Sequence, residues 1–336
     1  MTLTLDVAYA HLDALAKPQG SLGRLEQIAA RLAVTQQSLT PQTVPRRITL
    51  FAADHGVVES GVSAWPSAVT SAMMTTIAGG RASSNALARA ANCDLRLIDV
   101  GSITPLTIVF PAFVSERRIA AGTENLAHGP AMTVAQFGAA WDVGAQAAKS
   151  AIAQGYRVLI AGEMGIGNTT PAACLTMLLT GIDAATATGM GAGADDAMRA
   201  RKQAIVEQAV QRESAVFATN TKKAIAALCG LEIAAMAGYY AAAAQAGVTI
   251  LLDGYVTTAA ALIAEHLLPG TAKQMIAGHL SAEPGHRAAL NMLDLEPILE
   301  WNMRLGEGTG ALTALPLLDA AAALLNDVAT LAEVVG

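Results

Sequence analysis

Short, uninterrupted apolar runs recur along the chain and are separated by longer alanine-rich stretches. Because continuous apolar runs are typical of strands buried on both faces, they indicate a covered parallel sheet. The predicted strands are Ile48–Ala52, Leu95–Asp99, Arg157–Ala161, Val248–Leu252 and Gln274–Ala277. The predicted helical segments are 65–91, 133–153, 171–180, 195–217, 224–246 and 255–267. This alternation of strand and helix predicts an α/β fold.

The two ends of the chain lack this alternation. Residues 8–38 are predicted to be helical, and residues 285–335 to form helices around a glycine-rich hinge. The simplest architecture is a large α/β domain at 45–284 and a small helical domain built from 1–44 and 285–336. Prolines and glycines make 102–132 the least structured stretch, which is either a surface excursion or an active-site flap.

Composition narrows the class of protein. Of 336 residues, 53% are hydrophobic and 14% charged, and the net charge is −6. An average globular domain has about 25% charged residues. These values exclude intrinsic disorder, a coiled coil and most nucleic-acid binders, so we expect no nucleic-acid partner. An anionic ligand would need a local site.

The most apolar window, Ile233–Leu252, raises the question of a membrane span. It changes at Gly247 from an alanine-rich to a β-branched stretch, so we interpret it as a buried helix followed by a buried strand. The start of the chain carries Asp6 and none of the basic residues of a secretory signal. Three cysteines stand far apart in apolar contexts, which favours free thiols in a cytoplasmic protein: Cys93, Cys174 and Cys229.

The most distinctive motif is the glycine-rich segment Gly162–Pro171, which follows a predicted strand and opens a helix. Gly165 and Gly167 let backbone N–H groups approach an anion, and the helix N-terminus adds a positive partial charge. The order of its glycines matches neither the dinucleotide fingerprint nor a P-loop. The segment is therefore either another kind of anion site or a plain turn. Because a carboxylate repels phosphate, Glu163 suits a ribose hydroxyl or a base better.

Two further segments follow predicted strands, at the sheet edge where α/β proteins bind ligands. Asp54–Gly56 is either part of a site or a turn in which Asp54 binds the backbone. In Gly278–Arg287, Pro284 interrupts any helix that would align metal ligands, so we favour an anion or sugar bound by Ser281. A metal-dependent hydrolase would use the acidic and histidine residues of both segments: Asp54, His55, His279, Glu283 and His286.

Glu307 stands between two glycines in the segment Met303–Ala311. Glycine costs backbone entropy unless a close approach or a bend requires it. Burial beside Leu305 and small residues would make this carboxylate basic enough for general-base catalysis. The alternative is an exposed glutamate on a flexible loop.

Together these segments resemble the nicotinate-nucleotide–dimethylbenzimidazole phosphoribosyltransferases, which make the lower-ligand nucleotide of cobalamin. The matching pieces are Leu15–Glu26, Ala53–Val57, Gly61–Ala64 with Pro66, Gly162–Thr170, Leu252–Gly254, His279 with Ser281 and Glu283, and Leu305–Gly310. The resemblance implies a three-layer α/β/α fold with a parallel, Rossmann-like sheet, a helical unit from both ends, and a homodimer. Its substrates would be nicotinate mononucleotide and a benzimidazole, with no metal or other cofactor and no membrane partner.

The resemblance also implies the site residues. Glu307 maps onto the family's general base, and Glu163 onto a second carboxylate near the nucleotide. Lys202, in the helix after Gly191–Gly193, would pair with the anionic substrate. The residues expected to bind the nucleotide or its phosphate are Gly165, Gly167, Asn168, Thr169, Lys202, Gly254 and Ser281. The residues expected to form the apolar slot for the acceptor base are Pro18, Ser63, Trp65, Met73 and Leu305.

Two departures from the family pattern concern the acceptor slot. Trp65 stands where the family has tyrosine, and Ala72 where it has glutamine. They leave the physiological acceptor base open. Besides the hydrolase, a non-catalytic nucleotide sensor is the alternative function.

Overall fold

The computed structural model describes residues 2–106, 111–189 and 195–336. In these residues seven strands are present: Arg46–Ala53 (β1), Asp94–Gly101 (β2), Val114–Glu116 (β3), Val158–Met164 (β4), Thr249–Leu252 (β5), Met275–His279 (β6) and Pro297–Leu299 (β7). They form one parallel sheet in the order β3-β2-β1-β4-β5-β6-β7. The order reverses between β1 and β4, which opens a crevice at their carboxyl ends.

Helices connect the strands and cover both faces of the sheet. Those of the first half are Leu5–Ala14 (α1), Arg24–Gln36 (α2), Ala68–Ala78 (α3), Ser83–Ala90 (α4), Val134–Ala153 (α5), Thr169–Thr180 (α6) and Ala184–Ala187 (α7). Those of the second half are Asp196–Thr219 (α8), Thr221–Leu228 (α9), Leu231–Gln245 (α10), Tyr255–Leu267 (α11), His286–Met292 (α12), Thr309–Asp327 (α13) and Leu331–Val335 (α14).

Alternate side chains of β1 point to opposite faces of the sheet, and each face packs against its own layer of helices. Ile48 and Leu50 belong to a core that contains residues of α1, α2, α3 and α13. Phe51 and Ala53 point the other way, into a core that contains residues of α5, α6, α10 and α11. Because both faces are covered, the strands read as continuous apolar runs. The three-layer α/β/α architecture expected from the sequence is confirmed.

The five strands predicted from apolar runs all form, with small shifts at their ends. The three-residue edge strands β3 and β7 were not predicted. The predicted helical segment 65–91 is two helices, α3 and α4, because the chain turns at Gly79 and Gly80, which has a positive φ.

Helices from both chain ends pack together, as expected. One hydrophobic cluster contains Leu12 of α1, Leu32 of α2 and Leu315 of α13 together with sheet residues. Arg46 of β1 forms an ion pair with Asp319 of α13. The segment 285–336 also contributes β7 to the sheet. The division into domains at 45–284 and at the two chain ends stays a prediction.

The described part of 102–132 packs beside the turn after β1. The N–H of Ile103 donates to the carboxylate of Asp54 at 2.8 Å, and the N–H of Gly56 donates to the carbonyl of Thr123 at 3.1 Å. Residues 107–110 lie outside the described ranges. The flap role of this stretch stays a prediction.

The apolar window Ile233–Leu252 is a buried helix, α10, followed by the buried strand β5, as predicted. In the described parts of the chain, one other helix, α13, is long and apolar enough to cross a membrane by length and composition, and 61% of its apolar window is buried. Its packing against α2 and the sheet is that of a core helix of a globular protein, which passes the same test.

Candidate active site

Loops after five of the strands surround one cavity at the carboxyl edge of the sheet. They follow β1, β4, β5, β6 and β7, and they enclose about 950 Å³ including the open mouth. Most of the predicted site residues line this cavity: Ser63, Trp65, Glu163, Gly165, Gly167, Asn168, Thr169, Gly254, Ser281, Leu305 and Glu307. Pro18, Met73 and Lys202 do not line it.

The loop after β4 lies against the turn after β1. A side chain at Gly165 would collide with the carbonyl oxygen of Ala53 and lie 3.1 Å from Nε2 of His55. The N–H of Ile166 donates to the Thr70 hydroxyl at 3.2 Å. His55 is itself buried and lies 2.9 Å from the Glu232 carboxylate. The segment Asp54–Gly56 therefore packs directly against the glycine-rich loop.

Lys202 reaches this loop from α8 although it is almost fully buried. Its ammonium donates to the Thr169 hydroxyl at 2.7 Å, at the first turn of α6. Burial lowers the pKa of Lys202, and the nearby Glu283 carboxylate opposes that shift. The ammonium therefore contacts Thr169, which lines the cavity, but does not line the cavity itself. The segment Gly191–Gly193 lies outside the described residues.

Glu163 is the penultimate residue of β4 and lines the cavity with only 8% of its surface exposed. Burial, together with the neighbouring carboxylates of Asp253, Glu232 and Glu307, raises its pKa to about 8, while a hydrogen bond from the Asn168 amide opposes the rise. The protonated form of Glu163 therefore predominates at neutral pH. A protonated Glu163 does not repel a phosphate, unlike the carboxylate considered in the sequence analysis.

Glu307 is 4% exposed and lies in the tight turn before α13. Gly306, Glu307 and Gly308 all have positive φ, at 86°, 57° and 72°. A side chain at Gly306 would collide with the Glu163 carboxylate, and one at Gly308 with Ile48. The two glycines are thus required by close approach as well as by backbone conformation, and Glu307 holds a left-handed conformation that costs a non-glycine residue about 1 kcal/mol.

Two buried contacts hold this turn in place. The carboxylate of Asp253, directly after β5, accepts the N–H groups of Gly310 at 2.7 Å and Ala311 at 3.0 Å. The hydroxyl of Ser84 in α4 donates to Oε2 of Glu307 at 3.0 Å. Glu307 is therefore fixed both through its helix and at its carboxylate.

The histidines of the segment after β6 have partners other than a shared metal centre. His286 Nδ1 accepts from the N–H of Ser281 at 2.9 Å, and its Nε2 lies 2.9 Å from the Thr258 hydroxyl. Burial lowers the pKa of His286 far below its usual range, so the ring is neutral. His279 Nε2 lies 3.6 Å from the Asp253 carboxylate. Within the described ranges, no group of three metal-ligating side chains could hold an ion.

The predicted acceptor slot is only partly assembled. Trp65 and Leu305 line the mouth of the cavity with 52% and 58% of their surfaces exposed. Pro18 is exposed in the loop between α1 and α2, and Met73 is half-buried on α3. The cavity therefore contains the residues expected to bind the nucleotide, apart from Lys202. It also contains three of the residues expected to bind the acceptor base, namely Ser63, Trp65 and Leu305.

Several residues at the site were not predicted as functional, among them Ser84, Thr70 and Arg304. Arg304 lines the cavity next to Leu305, and its place within the segment Met303–Ala311 was a usable signal. No feature of the sequence pointed to Ser84 as a site residue, because its partner Glu307 is 223 residues away in the chain. Asp253 belonged to a recognised motif, but its binding of the α13 N-terminus depends on the fold.

Known proteins resemble this chain over almost its whole length. A family model described as phosphoribosyltransferase matches residues 4–335. A protein of Pseudomonas putida (strain GB-1) named nicotinate-nucleotide–dimethylbenzimidazole phosphoribosyltransferase is 44% identical over 98% of this chain and 93% of its own length. A protein of the same name from Mycobacterium marinum is 44% identical over 97% of this chain and 90% of its own length.

The fold also matches solved structures. The crystal structure of CobT from Thermus thermophilus has a TM-score of 0.92 and 42% identity, and the match covers 98% of each chain. These relatives support neither the metal-dependent hydrolase nor the nucleotide sensor. The chain therefore belongs to the phosphoribosyltransferase family whose curated members are named nicotinate-nucleotide–dimethylbenzimidazole phosphoribosyltransferases.

Proposed function

We propose that the chain transfers the 5-phosphoribosyl group of nicotinate mononucleotide to 5,6-dimethylbenzimidazole or a related base. The products are α-ribazole 5′-phosphate and nicotinate, in the assembly of the cobalamin nucleotide loop. The observation that carries this proposal is the convergence of Glu307, Glu163 and the Gly165–Thr169 loop on one cavity. The names of the relatives agree with it.

The nucleotide phosphate would lie on the loop from Gly165 to Thr169. This loop leads into α6, whose N-terminus directs N–H groups and a positive partial charge at an anion. The Lys202 ammonium, bound to Thr169, adds a full charge behind the loop. Protonated Glu163 can donate a hydrogen bond to the ribose. Gly254 and Ser281 would contact the same nucleotide from the loops after β5 and β6.

The chemistry is displacement at C1′ of the ribose. A ring nitrogen of the acceptor base forms a bond to C1′ as the bond to the pyridinium nitrogen breaks. The electron pair of that bond neutralises the pyridinium, so nicotinate leaves without help from an acid. The second ring nitrogen of the acceptor then becomes acidic. Glu307 would take its proton, a role for which a buried carboxylate close to the reacting atoms is suited.

The acceptor base would enter from the mouth of the cavity, between Trp65 and Leu305. Ser63 lies in the same loop as Trp65, and its hydroxyl accepts the N–H of Trp65 at 3.1 Å. Pro18 and Met73, which the resemblance also implies, lie outside this cavity, and their role stays a prediction.

We also propose that the chain works as a homodimer in the cytoplasm. Trp65, Leu305 and Trp301 leave more than half of their surfaces exposed, and a partner subunit would cover such apolar area. Free, buried cysteines at three positions fit a reducing compartment. Light scattering on the purified protein would give the oligomeric state directly.

The test of the reaction is a mass-spectrometric endpoint assay without added metal. The purified protein is mixed with nicotinate mononucleotide and a panel of benzimidazoles, purines and phenols. We expect free nicotinate and one adduct of base and ribose phosphate in equal amounts. If folded protein binds the nucleotide but forms no adduct with any acceptor, the proposed function is wrong.

The test of Glu307 is its replacement by glutamine, which keeps size and removes the base. We expect Glu307→Gln to lower kcat by about 10²–10⁴-fold, as loss of a general base does. The matched control is Glu300→Gln, since the Glu300 side chain is 67% exposed and lies outside the cavity lining. A loss below about tenfold in folded Glu307→Gln would refute the general-base role.

A further inference from the structure

The carboxylate of Glu307 is held by a side chain from outside the cavity wall. Ser84, in the first turn of α4, is fully buried and does not line the cavity. Its hydroxyl donates to Oε2 of Glu307 at 3.0 Å, and its N–H lies 3.4 Å from the same oxygen. Across the described residues, these are the hydrogen bonds that the Glu307 carboxylate receives.

We infer that Ser84 is a positioning residue for the transfer reaction, which fixes the Glu307 carboxylate so that Oε1 is the oxygen that takes the acceptor's proton. This inference rests on the proposed function of Glu307. Both bonds go to Oε2, so the remaining oxygen is the one that can meet the substrate. The residue is not itself catalytic, because it touches neither the cavity nor the reacting atoms.

The turn that carries Glu307 cannot orient the carboxylate by itself. Its three residues with positive φ fix the Cα position, but the glutamate side chain beyond Cβ has three further torsions. A proton is transferred only when the base lies within hydrogen-bond distance of its donor, and small displacements cost large factors in rate. A fixed donor to one carboxylate oxygen removes this freedom.

Ser84 is not needed to cap its own helix. The N-cap position of α4 is Ala82, and the N–H of Ala82 donates to the Asn85 side chain at 3.0 Å. A buried hydroxyl without a partner is unfavourable, so its hydrogen bond to Glu307 accounts for a serine at this position. The N–H of Ser84, in the first turn of α4, points at the same carboxylate oxygen.

The first experiment compares Ser84→Ala with Ser83→Ala. The two serines are adjacent in α4, but Ser83 is exposed, and the hydrogen bonds to Glu307 come from Ser84. We expect Ser84→Ala to lower kcat about tenfold with KM for nicotinate mononucleotide within twofold, since a hydrogen bond to a charged group is lost. Ser83→Ala should keep both constants. A Ser84→Ala enzyme with wild-type kcat, or with a raised KM and unchanged kcat, would overturn the inference.

The second experiment is a double-mutant cycle with Glu307→Gln. If Ser84 acts through Glu307, Ser84→Ala should change kcat by less than about twofold in the Glu307→Gln background. An equal tenfold loss in both backgrounds would mean that Ser84 acts through the fold instead. Wild-type activity in Glu307→Gln would refute the general-base role on which the inference rests. Absence of any adduct with the wild-type protein would contradict the proposed function, so these failures are distinguishable from failure of the inference itself.

Thermal unfolding of each variant checks that the fold is intact. If Ser84→Ala does not fold, Ser84→Cys takes its place, because a thiol fills the same space and donates weakly. We then expect a smaller loss of kcat than tenfold, again absent in the Glu307→Gln background. No loss of kcat in folded Ser84→Cys would count against the inference.

Discussion

The carboxylate of Asp253 accepts the backbone N–H of Gly310 at 2.7 Å, so the end of β5 caps the first turn of α13. Helix N-termini leave N–H groups without partners inside the helix, and a carboxylate satisfies them well. Here the carboxylate comes from a different part of the chain. The contact therefore ties the position of the Glu307 turn to the sheet.

Replacement of Asp253 by alanine should destabilise the protein, because two buried N–H groups lose their charged acceptor. We expect the free energy of unfolding to fall by about 3 kcal/mol in denaturant titrations. The matched control is Asp327→Ala at the exposed far end of α13, which should change it by less than about 0.5 kcal/mol. Equal stabilities of the two variants would contradict the capping role.

Because the backbone of Glu307 is left-handed, glycine at this position should give a more stable protein than alanine, the reverse of the usual order. At this position we expect Glu307→Gly to be more stable than Glu307→Ala by about 1 kcal/mol, because glycine alone has no penalty at positive φ. Both variants should be inactive. In the helical, exposed position Ala139, replacement by glycine should instead cost about 1 kcal/mol. Urea unfolding of the three variants measures these differences, and a more stable Glu307→Ala would exclude backbone strain at this turn.

The stability of the protein should depend on pH through Glu163. Its pKa rises from 4.5 to about 8 on folding, so the folded state binds the proton more tightly than the unfolded state does. This carboxyl group therefore destabilises the protein progressively as pH rises from about 4.5 to about 8. We expect Glu163→Gln to gain stability over the same range, by roughly 5 kcal/mol at pH 9 and hardly at all at pH 4.

Melting curves of wild type and Glu163→Gln between pH 4 and 9 measure this gain. Glu300→Gln, which replaces an exposed carboxylate, serves as the control and should follow the wild type at every pH. A difference between Glu163→Gln and wild type that does not change with pH would mean that folding does not shift the pKa of Glu163.

Removal of the Lys202 ammonium should weaken nucleotide binding. Lys202→Met fills nearly the same buried volume but leaves the Thr169 hydroxyl without its donor. We expect KM for nicotinate mononucleotide to rise about tenfold with kcat little changed, since the lost charge acts on the bound anion. Lys223→Met, at an exposed position of α9, should leave KM unchanged. An unchanged KM in Lys202→Met would refute the role of Lys202 in nucleotide binding.

Trp65 should influence the choice of acceptor. Because the indole narrows the cavity mouth, Trp65→Tyr should raise kcat/KM for 5,6-dimethylbenzimidazole relative to benzimidazole, by a factor of about 3–10, the effect of a methyl group or two in an apolar pocket. KM for the nucleotide should stay unchanged. Trp301→Tyr, also exposed but outside the cavity lining, is the control. An unchanged ratio in Trp65→Tyr would remove Trp65 from the acceptor slot.

The central sheet could be predicted because burial on both faces leaves a direct mark on the sequence. Runs such as Ile48–Ala52 have no charged interruption, and each marks a strand. The edge strands β3 and β7 have three residues each, and the length of such a strand is set by its neighbour rather than by its own residues. Gly79 and Gly80 mark the break between α3 and α4. The alanine-rich residues on both sides nevertheless favoured the prediction of one continuous helical segment.

The candidate site was predictable where residues adjacent in the chain act together, as in Gly165–Thr169 and in the turn around Glu307. Contacts between distant segments could not be predicted in the same way. The support of Gly165 by His55, and of Glu307 by Ser84, depends on which helix lies against which loop. The raised pKa of Glu163 depends on its burial and on three other carboxylates that only the fold brings near it.

The cavity has one closely packed half and one open half, and this difference bears on how the site can change in evolution. Around Glu163 and Glu307, a side chain added at Gly162 would collide with backbone atoms of Glu307 and Gly308, and Gly306 and Gly308 have positive φ, so substitutions at these three glycines strain the fold. Trp65 and Leu305 are more than half exposed and can be replaced at little cost to folding. Under the proposed function, substitutions in the open half would alter the base that is accepted and leave the closely packed half unchanged.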